Sequence, residues 1–507
     1  MSVRRPPRLR RSMMPLTRRD FLTLGSCAAL TGTSAPCNAG PAGRGPRPPP
    51  APARSPAADY TVRIATGLIE LSPRHIVSST LYNGQFPGPL LRLREGRPVT
   101  IDIHNDTEVA ELVHWHGQMI PSEVDGAAEE GTPYVPAHGK RLITFVPRPA
   151  GLRFYHTHVA AGDDLNRGTY SAQAGLVYIE PTRDPGAYDR EVFLVLKEFL
   201  PTLSRGGDMP MDTLVGRELP QLRERAAEAA AQSGAHAKGF EVGYSLFAIN
   251  GRMLGYGEPV RVREGERVLF HVLNASATEI RSLALPGHTF RVVALDGNAV
   301  PTPADVPLLW LGTAERISAI VEMRNPGVWV MGDLADDDRG RGMGIVVEYA
   351  ERRGPPRWIK PKAFRWDYTR FSQPQAPPAA QPDETFEITI VKHNAALNGF
   401  NQWTLNGEAF SMQSMKPLYT VRQGHRYRLR FRNASDDIHP LHLHRHSFEL
   451  TRVGGKSTAG ILKDVVMLGG YQELEFDFRA DNPGATLFHC HQQLHMDFGF
   501  MALFRYA

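Results

Sequence analysis

Cysteine is scarce in this chain of 507 residues, which contains only three. Two of them, Cys27 and Cys37, lie before residue 58, and Cys490 is the only one in the remainder of the sequence. That remainder cannot form an internal disulfide, so no disulfide framework holds it together. Cys490 is left as a free thiol that can bind a metal.

A strong charge of one sign is also missing once the N-terminal segment is set aside. The formal net charge is +5, but residues 1–54 contain ten arginines and one acidic residue. The rest of the chain therefore carries about −4, and we expect no nucleic acid partner. The length corresponds to about three domains of ~150 residues each, which we expect to act as a monomer.

The N-terminal segment lacks an apolar run long enough to cross a bilayer, since the run from Phe21 to Leu30 has only ten residues. It overlaps the twin-arginine pattern Thr17-Arg18-Arg19-Asp20-Phe21-Leu22. The pattern predicts export by the twin-arginine machinery, and hence a periplasmic or secreted bacterial protein. Two alternative interpretations of this segment are an ordinary basic tail before a buried helix, and a lipoprotein signal with lipid anchoring at Cys27. Residues 40–57, rich in Pro, Ala and Arg, predict an extended linker that completes segment 1–57.

An internal repeat dominates the chain beyond residue 58. Each copy has an Asn-Gly pair, then a glycine, then an asparagine nine residues after that glycine: Asn83-Gly84, Gly96 and Asn105; Asn250-Gly251, Gly265 and Asn274; Asn406-Gly407, Gly424 and Asn433. Short alternating apolar and polar runs between such turns predict an all-β chain of three antiparallel β-sandwich domains. We place them at 58–184, 185–352 and 353–507, the last beginning with a linker. An Ala/Glu/Arg-rich run predicts a helical insertion near 205–240.

Histidines occur at fixed offsets from the repeat in the first and third copies. Nine and eleven residues after the asparagine stand His114 and His116, and again His442 and His444, where the second copy has Leu283 and Leu285. A second glycine in each copy gives another fixed reference point. Five and seven residues after it, the first copy has His156 and His158, the third copy has His489 and His491, and the second copy has Gly332 and Leu334. Residues two apart on a strand share a face. The pattern therefore predicts a metal cluster between the first and third domains.

The stretch from Phe488 to Met501 adds a thiol to this pattern. In an extended backbone, Cys490 points away from the face shared by His489 and His491, so two sites would lie back to back. His495 follows closely and can return to the metal held by Cys490. A thiolate with imidazoles suits copper electron transfer. A zinc site is the alternative, although zinc sites usually pair cysteines or place two histidines on one helix face.

Four motifs together resemble the copper signatures of the multicopper oxidases, a family that includes laccases, bilirubin oxidases and cuprous oxidases. They are His114-Trp115-His116-Gly117, His156-Thr157-His158, His439-Pro440-Leu441-His442-Leu443-His444, and His489-Cys490-His491 through His495. The resemblance spans about residues 60 to 507, with the motifs in the family's order. It implies three consecutive cupredoxin-like Greek-key domains, of which the second holds no copper ligand.

The resemblance also implies a cofactor of four copper ions and assigns each ligand. His439, Cys490 and His495 would hold the mononuclear type 1 copper, which accepts electrons. His114 and His442 would hold the type 2 copper. The type 3 pair would be held by His116, His156, His158, His444, His489 and His491.

The implied activity is the one-electron oxidation of a small reducing substrate, coupled to the four-electron reduction of dioxygen to water. We expect a laccase-like enzyme that oxidises phenols or aromatic amines. A cuprous oxidase for copper tolerance is the alternative, although such enzymes carry Met-rich stretches and this chain has only Met209-Pro210-Met211 and the pair Met412 and Met415. A non-catalytic copper-binding envelope protein is the second alternative. By resemblance, Asp125 is the acid that handles protons near the type 2 copper.

Two positions depart from some members of the family. Phe500 stands where several bacterial oxidases have an axial methionine, and its lack of a sulfur should raise the type 1 potential. A shift of one residue would instead place Met501 at the copper. Met496 stands where several bacterial relatives have Glu, so Asp125 is the only proton donor that the resemblance supports. Histidines outside the repeat offsets, such as His446, are expected to be hydrogen-bonded or exposed.

Overall fold

The computed structural model describes residues 57–182, 186–204, 213–232, 238–373 and 380–507. The twin-arginine pattern, Cys27, residues 40–56 of the linker, and Met209 and Met211 lie outside these ranges. Within them, no helix is long and apolar enough to span a membrane. Six β-sheets of four to six strands account for most of the described chain, which confirms the all-β prediction.

Two four-stranded sheets form the first sandwich, in the orders β2-β1-β4-β6 and β3-β8-β7-β5. Apolar residues of both sheets meet in one core, among them Ile64, Ile101, Leu93 and Val177. The strands are β1 (Tyr60–Ser72), β2 (His75–Tyr82), β3 (Gly88–Arg94), β4 (Val99–Asn105), β5 (His114–His116), β6 (Lys140–Phe145), β7 (Gly151–His156) and β8 (Ala174–Glu180).

The second sandwich has sheets of six and five strands, in the orders β10-β9-β12-β17-β14-β15 and β11-β19-β18-β13-β16. Its strands are β9 (Arg190–Ser204), β10 (Glu241–Ile249), β11 (Val260–Val262), β12 (Arg267–Asn274), β13 (Arg281–Ala284), β14 (Phe290–Leu295), β15 (Asn298–Val306), β16 (Leu308–Leu311), β17 (Arg316–Glu322), β18 (Val328–Gly332) and β19 (Gly344–Tyr349).

The third sandwich repeats this plan, in the orders β21-β20-β23-β28-β25-β26 and β22-β30-β29-β24-β27. Its strands are β20 (Glu384–Leu397), β21 (Phe400–Leu405), β22 (Pro417–Val421), β23 (Arg426–Ala434), β24 (His439–Leu443), β25 (Phe448–Val453), β26 (Lys456–Lys463), β27 (Val465–Leu468), β28 (Glu473–Arg479), β29 (Thr486–Cys490) and β30 (Met501–Tyr506).

Helices are short and lie between the strands. They are α1 (Ser122–Asp125), α2 (Pro220–Gln232), α3 (Asp336–Gly340) and α4 (Gln493–Asp497), with 3₁₀ turns at Ala128–Glu130, Gly168–Tyr170 and Tyr368–Phe371. Helix α2 lies in the segment for which the sequence predicts an inserted helix. Its buried Leu222 and Ala229 pack with Val391 and Ala434 of the third sandwich.

The sheets are mixed, whereas the sequence analysis predicted antiparallel ones, and in this respect the prediction was wrong. Each sandwich contains two parallel strand pairs: β1 with β4 and β3 with β8, β9 with β12 and β11 with β19, and β20 with β23 and β22 with β30. Parallel neighbours cannot be joined by a tight turn, so they come from distant parts of the chain. Turn signals in the sequence identify hairpins but not such long-range pairs.

The repeated asparagines have a structural role that positions the histidine strands. Asn105 is fully buried, and its amide nitrogen donates to the carbonyls of Val109 and Val135 at 2.7 and 3.1 Å. Asn274 and Asn433 make the equivalent pairs of bonds in the other two sandwiches. Each amide therefore fixes the loop that leads from one sheet to the strand at which the first and third sandwiches carry histidines.

Candidate copper centres

Neighbouring strands place the histidine pairs opposite each other within each sandwich. In the first, β5 pairs with β7, so that His114 lies across from His156. In the third, β24 pairs with β29, so that His442 lies across from His489. Alternation along the strands then directs His114 and His116 to one face, as it does the pair His489 and His491 around Cys490.

The two sandwiches bring these faces together. The rings of His116 and His442 stack with centroids 3.8 Å apart, and those of His114 and His444 stack at 4.1 Å. His158 reaches the ring of His489 at 5.2 Å. The structure thus gathers all eight predicted cluster residues into one buried group, composed of His114, His116, His156, His158, His442, His444, His489 and His491.

Unpaired ring nitrogens show that this group fits metal ions. His114, His156, His442 and His489 each bond a main-chain carbonyl oxygen through Nδ1, at 2.7 to 2.9 Å. Each Nδ1 therefore carries the proton, and each Nε2 offers a lone pair to the interior of the group. Nε2 has no hydrogen-bond partner in His114, His156 and His442, nor does either ring nitrogen of His158 and His491. Buried polar atoms are rarely left in this state without a ligand.

Burial also keeps these imidazoles in the neutral form that binds a metal. It lowers the pKa of each of the following side chains well below its usual value: His116, His156, His158, His442, His444, His489 and His491. Desolvation is the largest cause, and neighbouring imidazoles add to it. A group of neutral donors with facing lone pairs suits copper, for which imidazole is a preferred ligand.

A second buried group lies on the opposite face of β29. The Cys490 sulfur lies 3.6 Å from Nδ1 of His439 and 3.6 Å from Nδ1 of His495, and these two nitrogens are 3.2 Å apart. Burial raises the pKa of the Cys490 thiol and lowers the pKa of His495 to about 3. Both shifts favour the neutral forms of these side chains when no cation is bound. One thiolate with two imidazoles is the ligand set of electron-transferring copper sites.

The structure places Phe500, not Met501, on the side of this thiol. The Phe500 ring lies 4.9 Å from the His439 ring and 5.7 Å from Trp403, and it belongs to the same core as Cys490. Met501 packs in a separate cluster with Ala127 and Leu487. Phe500, which precedes β30, and Met501, its first residue, thus face opposite sides.

Asp125 lies at the edge of the histidine cluster, at the end of helix α1. Its Oδ2 accepts a hydrogen bond from Nδ1 of His444 at 2.9 Å and lies 3.1 Å from Nδ1 of His114. Its Oδ1 is buried without a partner. The carboxylate is thus fixed between one cluster histidine of the first sandwich and one of the third, and its second oxygen faces no hydrogen-bond donor of the protein.

Glu130 is a neighbour of this site that the sequence analysis missed. Its Oε1 accepts a hydrogen bond from the Leu487 amide at 2.7 Å and lies 3.7 Å from Nδ1 of His444. Burial and the adjacent Asp125 raise its pKa well above the usual value. Its only signal in the sequence is the short distance from the Asp125-Gly126 turn.

His446 lies outside the cluster and bonds the His444 carbonyl and the Tyr506 hydroxyl, as expected for a structural histidine.

Comparison with known proteins agrees with this geometry. Family models described as multicopper oxidase match residues 65–184, 223–349 and 379–507. The multicopper oxidase MmcO of Mycobacterium tuberculosis is 27% identical over 428 residues, which cover 83% of this chain and 81% of that protein. Laccase-2 of Fomitopsis schrenkii is 24% identical, and the match covers 83% of this chain and 84% of that protein.

A solved structure shows the same fold. The crystal structure of a multi-copper oxidase from Pseudomonas thermotolerans has a TM-score of 0.65 and 23% identity, and the match covers 89% of this chain and 100% of that one. The three matched segments correspond to the three sandwiches, and the two ligand groups lie in and between the first and third. The chain therefore belongs to the multicopper oxidase family and is a copper-dependent oxidoreductase that uses dioxygen.

Proposed function

We propose that this oxidase takes its electrons from small phenols or aromatic amines, as a laccase does. Bound copper would supply the one-electron chemistry that links such donors to dioxygen. The residues of the chain would bind the donor, accept its proton and keep it next to the ligands of the type 1 site. A cavity beside His439 is the observation that carries the proposal.

The cavity has a volume of about 460 Å³ and lies between the second and third sandwiches. Its lining includes the apolar side chains of Ile280, Trp310 and Leu334 from the second sandwich. The lining also includes six charged residues: Glu241, Glu279, Arg281, Asp333, Asp338 and Lys360. A cavity of this volume can hold a small organic molecule. An aromatic ring would fit against Trp310.

The wall of the cavity includes two residues that are adjacent in sequence to predicted copper ligands. Ile438 and Gln492 line it, and the Gln492 side-chain amide donates to the Ile438 carbonyl at 2.8 Å. Ile438 directly precedes His439, and Gln492 directly follows His491. A donor in the cavity would therefore contact the residue that directly precedes the buried His439.

Two carboxyl groups in the cavity can accept the proton that a phenol releases. Burial and the nearby Asp437 raise the pKa of Glu241 to about 8. Burial raises the pKa of Glu279 to about 7. Groups that titrate near neutral pH exchange protons efficiently, and a phenol loses its proton when it loses an electron.

Cuprous ion remains the alternative donor for an enzyme of this family. Cu(I) prefers the sulfur of Cys or Met. Among the described residues, the lining of this cavity has carboxylates but neither of those side chains. The composition of the cavity therefore favours an organic donor.

Oxygen uptake with 2,6-dimethoxyphenol and, separately, with Cu(I) tests the proposal. We expect turnover with the phenol, and we expect Ile280→Trp to lower kcat/KM for it at least tenfold by filling the cavity. Leu68→Trp is the matched control, because Leu68 is 70% exposed on the first sandwich. Oxygen uptake with Cu(I) alone, or equal effects of the two variants, would contradict the proposal.

A further inference from the structure

His116 is oriented differently from the cluster histidines that donate a hydrogen bond through Nδ1. Its Nε2 lies 3.1 Å from Oδ1 of Asp464, and its Nδ1 is the buried atom without a partner. Because a carboxylate only accepts hydrogen bonds, Nε2 carries the proton and Nδ1 carries the lone pair. His116 therefore presents Nδ1 to the cluster, whereas His114, His156 and His442 present Nε2.

Asp464 also holds a second cluster histidine. Its main-chain carbonyl accepts a hydrogen bond from Nδ1 of His442 at 2.7 Å. The rings of His442 and His116 stack 15° from parallel. One residue of the third sandwich, lying between β26 and β27, thus determines the orientation of one ligand from each of the two sandwiches.

The carboxylate is itself fixed by an arginine of the second sandwich. Nη1 and Nη2 of Arg316, the first residue of β17, donate to Oδ1 and Oδ2 of Asp464, both at 2.6 Å. Arg153 of the first sandwich approaches Oδ2 at 3.3 Å. All three side chains are fully buried. A two-point Arg–carboxylate pair fixes the plane of the carboxylate as well as its position.

The backbone next to His116 leaves room for this pair. Gly117 has φ of +77°, and a Cβ placed there would lie 2.5 Å from Oδ2 of Asp464 and 2.8 Å from Nη2 of Arg316. No other residue would fit at position 117 without displacing the ion pair. The glycine that ends the His-Trp-His-Gly motif is thus needed for the contact between the sandwiches.

We propose that Asp464 is the positioning residue that makes His116 an Nδ1 ligand, and that Arg316 holds Asp464 in place. The second sandwich has no histidine at the repeat offsets, but through Arg316 it takes part in assembling the cluster between the other two. Loss of the Asp464 charge would free the His116 ring to exchange its proton between the two nitrogens. The cluster coppers would then bind weakly, while the site of Cys490 would be unaffected.

Asp464→Asn and a matched control, Asp477→Asn, test this inference. Asp477 is another fully buried carboxylate of the third sandwich, paired with Arg426 and Arg428 and without contact to a copper ligand. In Asp464→Asn we expect the copper content to fall by up to the three cluster ions while the blue absorption of the thiolate site is retained. Asp477→Asn should keep its full copper content, even if its thermal unfolding temperature falls.

Nitrogen-15 NMR of histidine-labelled, copper-free protein gives an independent readout, with the His116 signals assigned by their loss in His116→Gln. We expect protonated Nε2 in the wild type and a mixture of tautomers in Asp464→Asn. If Asp464→Asn does not fold, Arg316→Lys serves in its place, because it keeps the charge but not the two-point pair, and it should also lose cluster copper. Full copper content in the folded variant, an unchanged tautomer, or equal copper loss in Asp477→Asn would overturn the inference.

Discussion

The Nε2 atoms of His444 and His489 face each other 3.1 Å apart in the buried cluster. Each ring uses Nδ1 to bond an acceptor, Oδ2 of Asp125 for His444 and the Cys490 carbonyl for His489. Both Nε2 atoms therefore carry lone pairs, which repel each other unless a cation lies nearby. His158 completes the set of three that could bind this cation.

The stability of the copper-free protein should therefore fall in acid. Burial depresses the pKa of the cluster histidines in the folded protein, for example His442 and His491. Below the unfolded value of about 6.5, the unfolded chain takes up protons that the folded chain does not, so stability falls as pH falls. Each such group contributes about 1.4 kcal/mol per pH unit in that range.

Thermal unfolding of copper-loaded and copper-free protein at pH 7.5 and pH 5.5 measures this effect. We expect the copper-free protein to unfold at a lower temperature than the copper-loaded protein at both pH values, and at a lower temperature at pH 5.5 than at pH 7.5. Reloading with copper should restore the original temperature, since a ligand that binds only the folded state stabilises it. A copper-free protein that unfolds at the same temperature at both pH values would show that the imidazoles are not buried as described.

The cluster histidines and the residues that contact them differ in how far they can be predicted from sequence. Pairs such as His114 and His116 are predictable, because side chains two apart on a strand share a face and the repeat gives their register. Glu130 and Asp464 lie in loops between strands and contact the cluster only after the sandwiches have packed. Their positions depend on tertiary contacts that no local pattern encodes.

Cys490→Ser should abolish the blue colour of the copper-loaded protein. A cysteine thiolate bound to Cu(II) absorbs intensely in visible light, and a serine hydroxyl cannot replace the sulfur. Absorption spectroscopy and copper analysis of the same sample provide the test. We expect the loss of one copper ion, with the histidine cluster retained on the other face of β29. A blue variant would mean that the thiol is not a ligand.

Glu241→Gln should change the pH dependence of phenol oxidation. In the wild type, kcat/KM should rise as pH rises through about 8, because the Glu241 carboxyl, with its pKa raised by burial, accepts a proton only once it is ionised. The variant should lack this rise. Ferrocyanide, a donor that releases no proton, should be oxidised equally by both forms. The control is Glu258→Gln, because Glu258 is exposed on the second sandwich.

Asp125→Asn should slow the reaction of the reduced enzyme with dioxygen, on the order of 100-fold, because an amide cannot exchange the proton that the unpaired Oδ1 would handle. Reduction by the substrate should be almost unchanged, since the Cys490 site lies on the other face of β29. Stopped-flow measurements separate the two half-reactions. Asp106→Asn, at an exposed ion pair, is the control. Equal slowing of both halves would remove Asp125 from proton transfer.

Phe500→Met should lower the type 1 potential and narrow the range of donors. A phenyl ring offers copper no lone pair, whereas a thioether in its place would stabilise Cu(II). We expect a decrease on the order of 100 mV, or about 2.3 kcal/mol for one electron. Donors that are hard to oxidise should be lost first, and easily oxidised phenols should persist.

The control for this change is Met501→Leu. Met501 packs with Ala127, Leu487 and Met496, away from the Cys490 sulfur, so its loss should leave the potential nearly unchanged. A redox titration followed at the blue absorption band compares both variants with the wild type. A strong shift in Met501→Leu, together with none in Phe500→Met, would reverse the assignment of the two side chains. The chain would then be an oxidase of lower potential, because Met501 would offer its thioether to the copper as a further ligand.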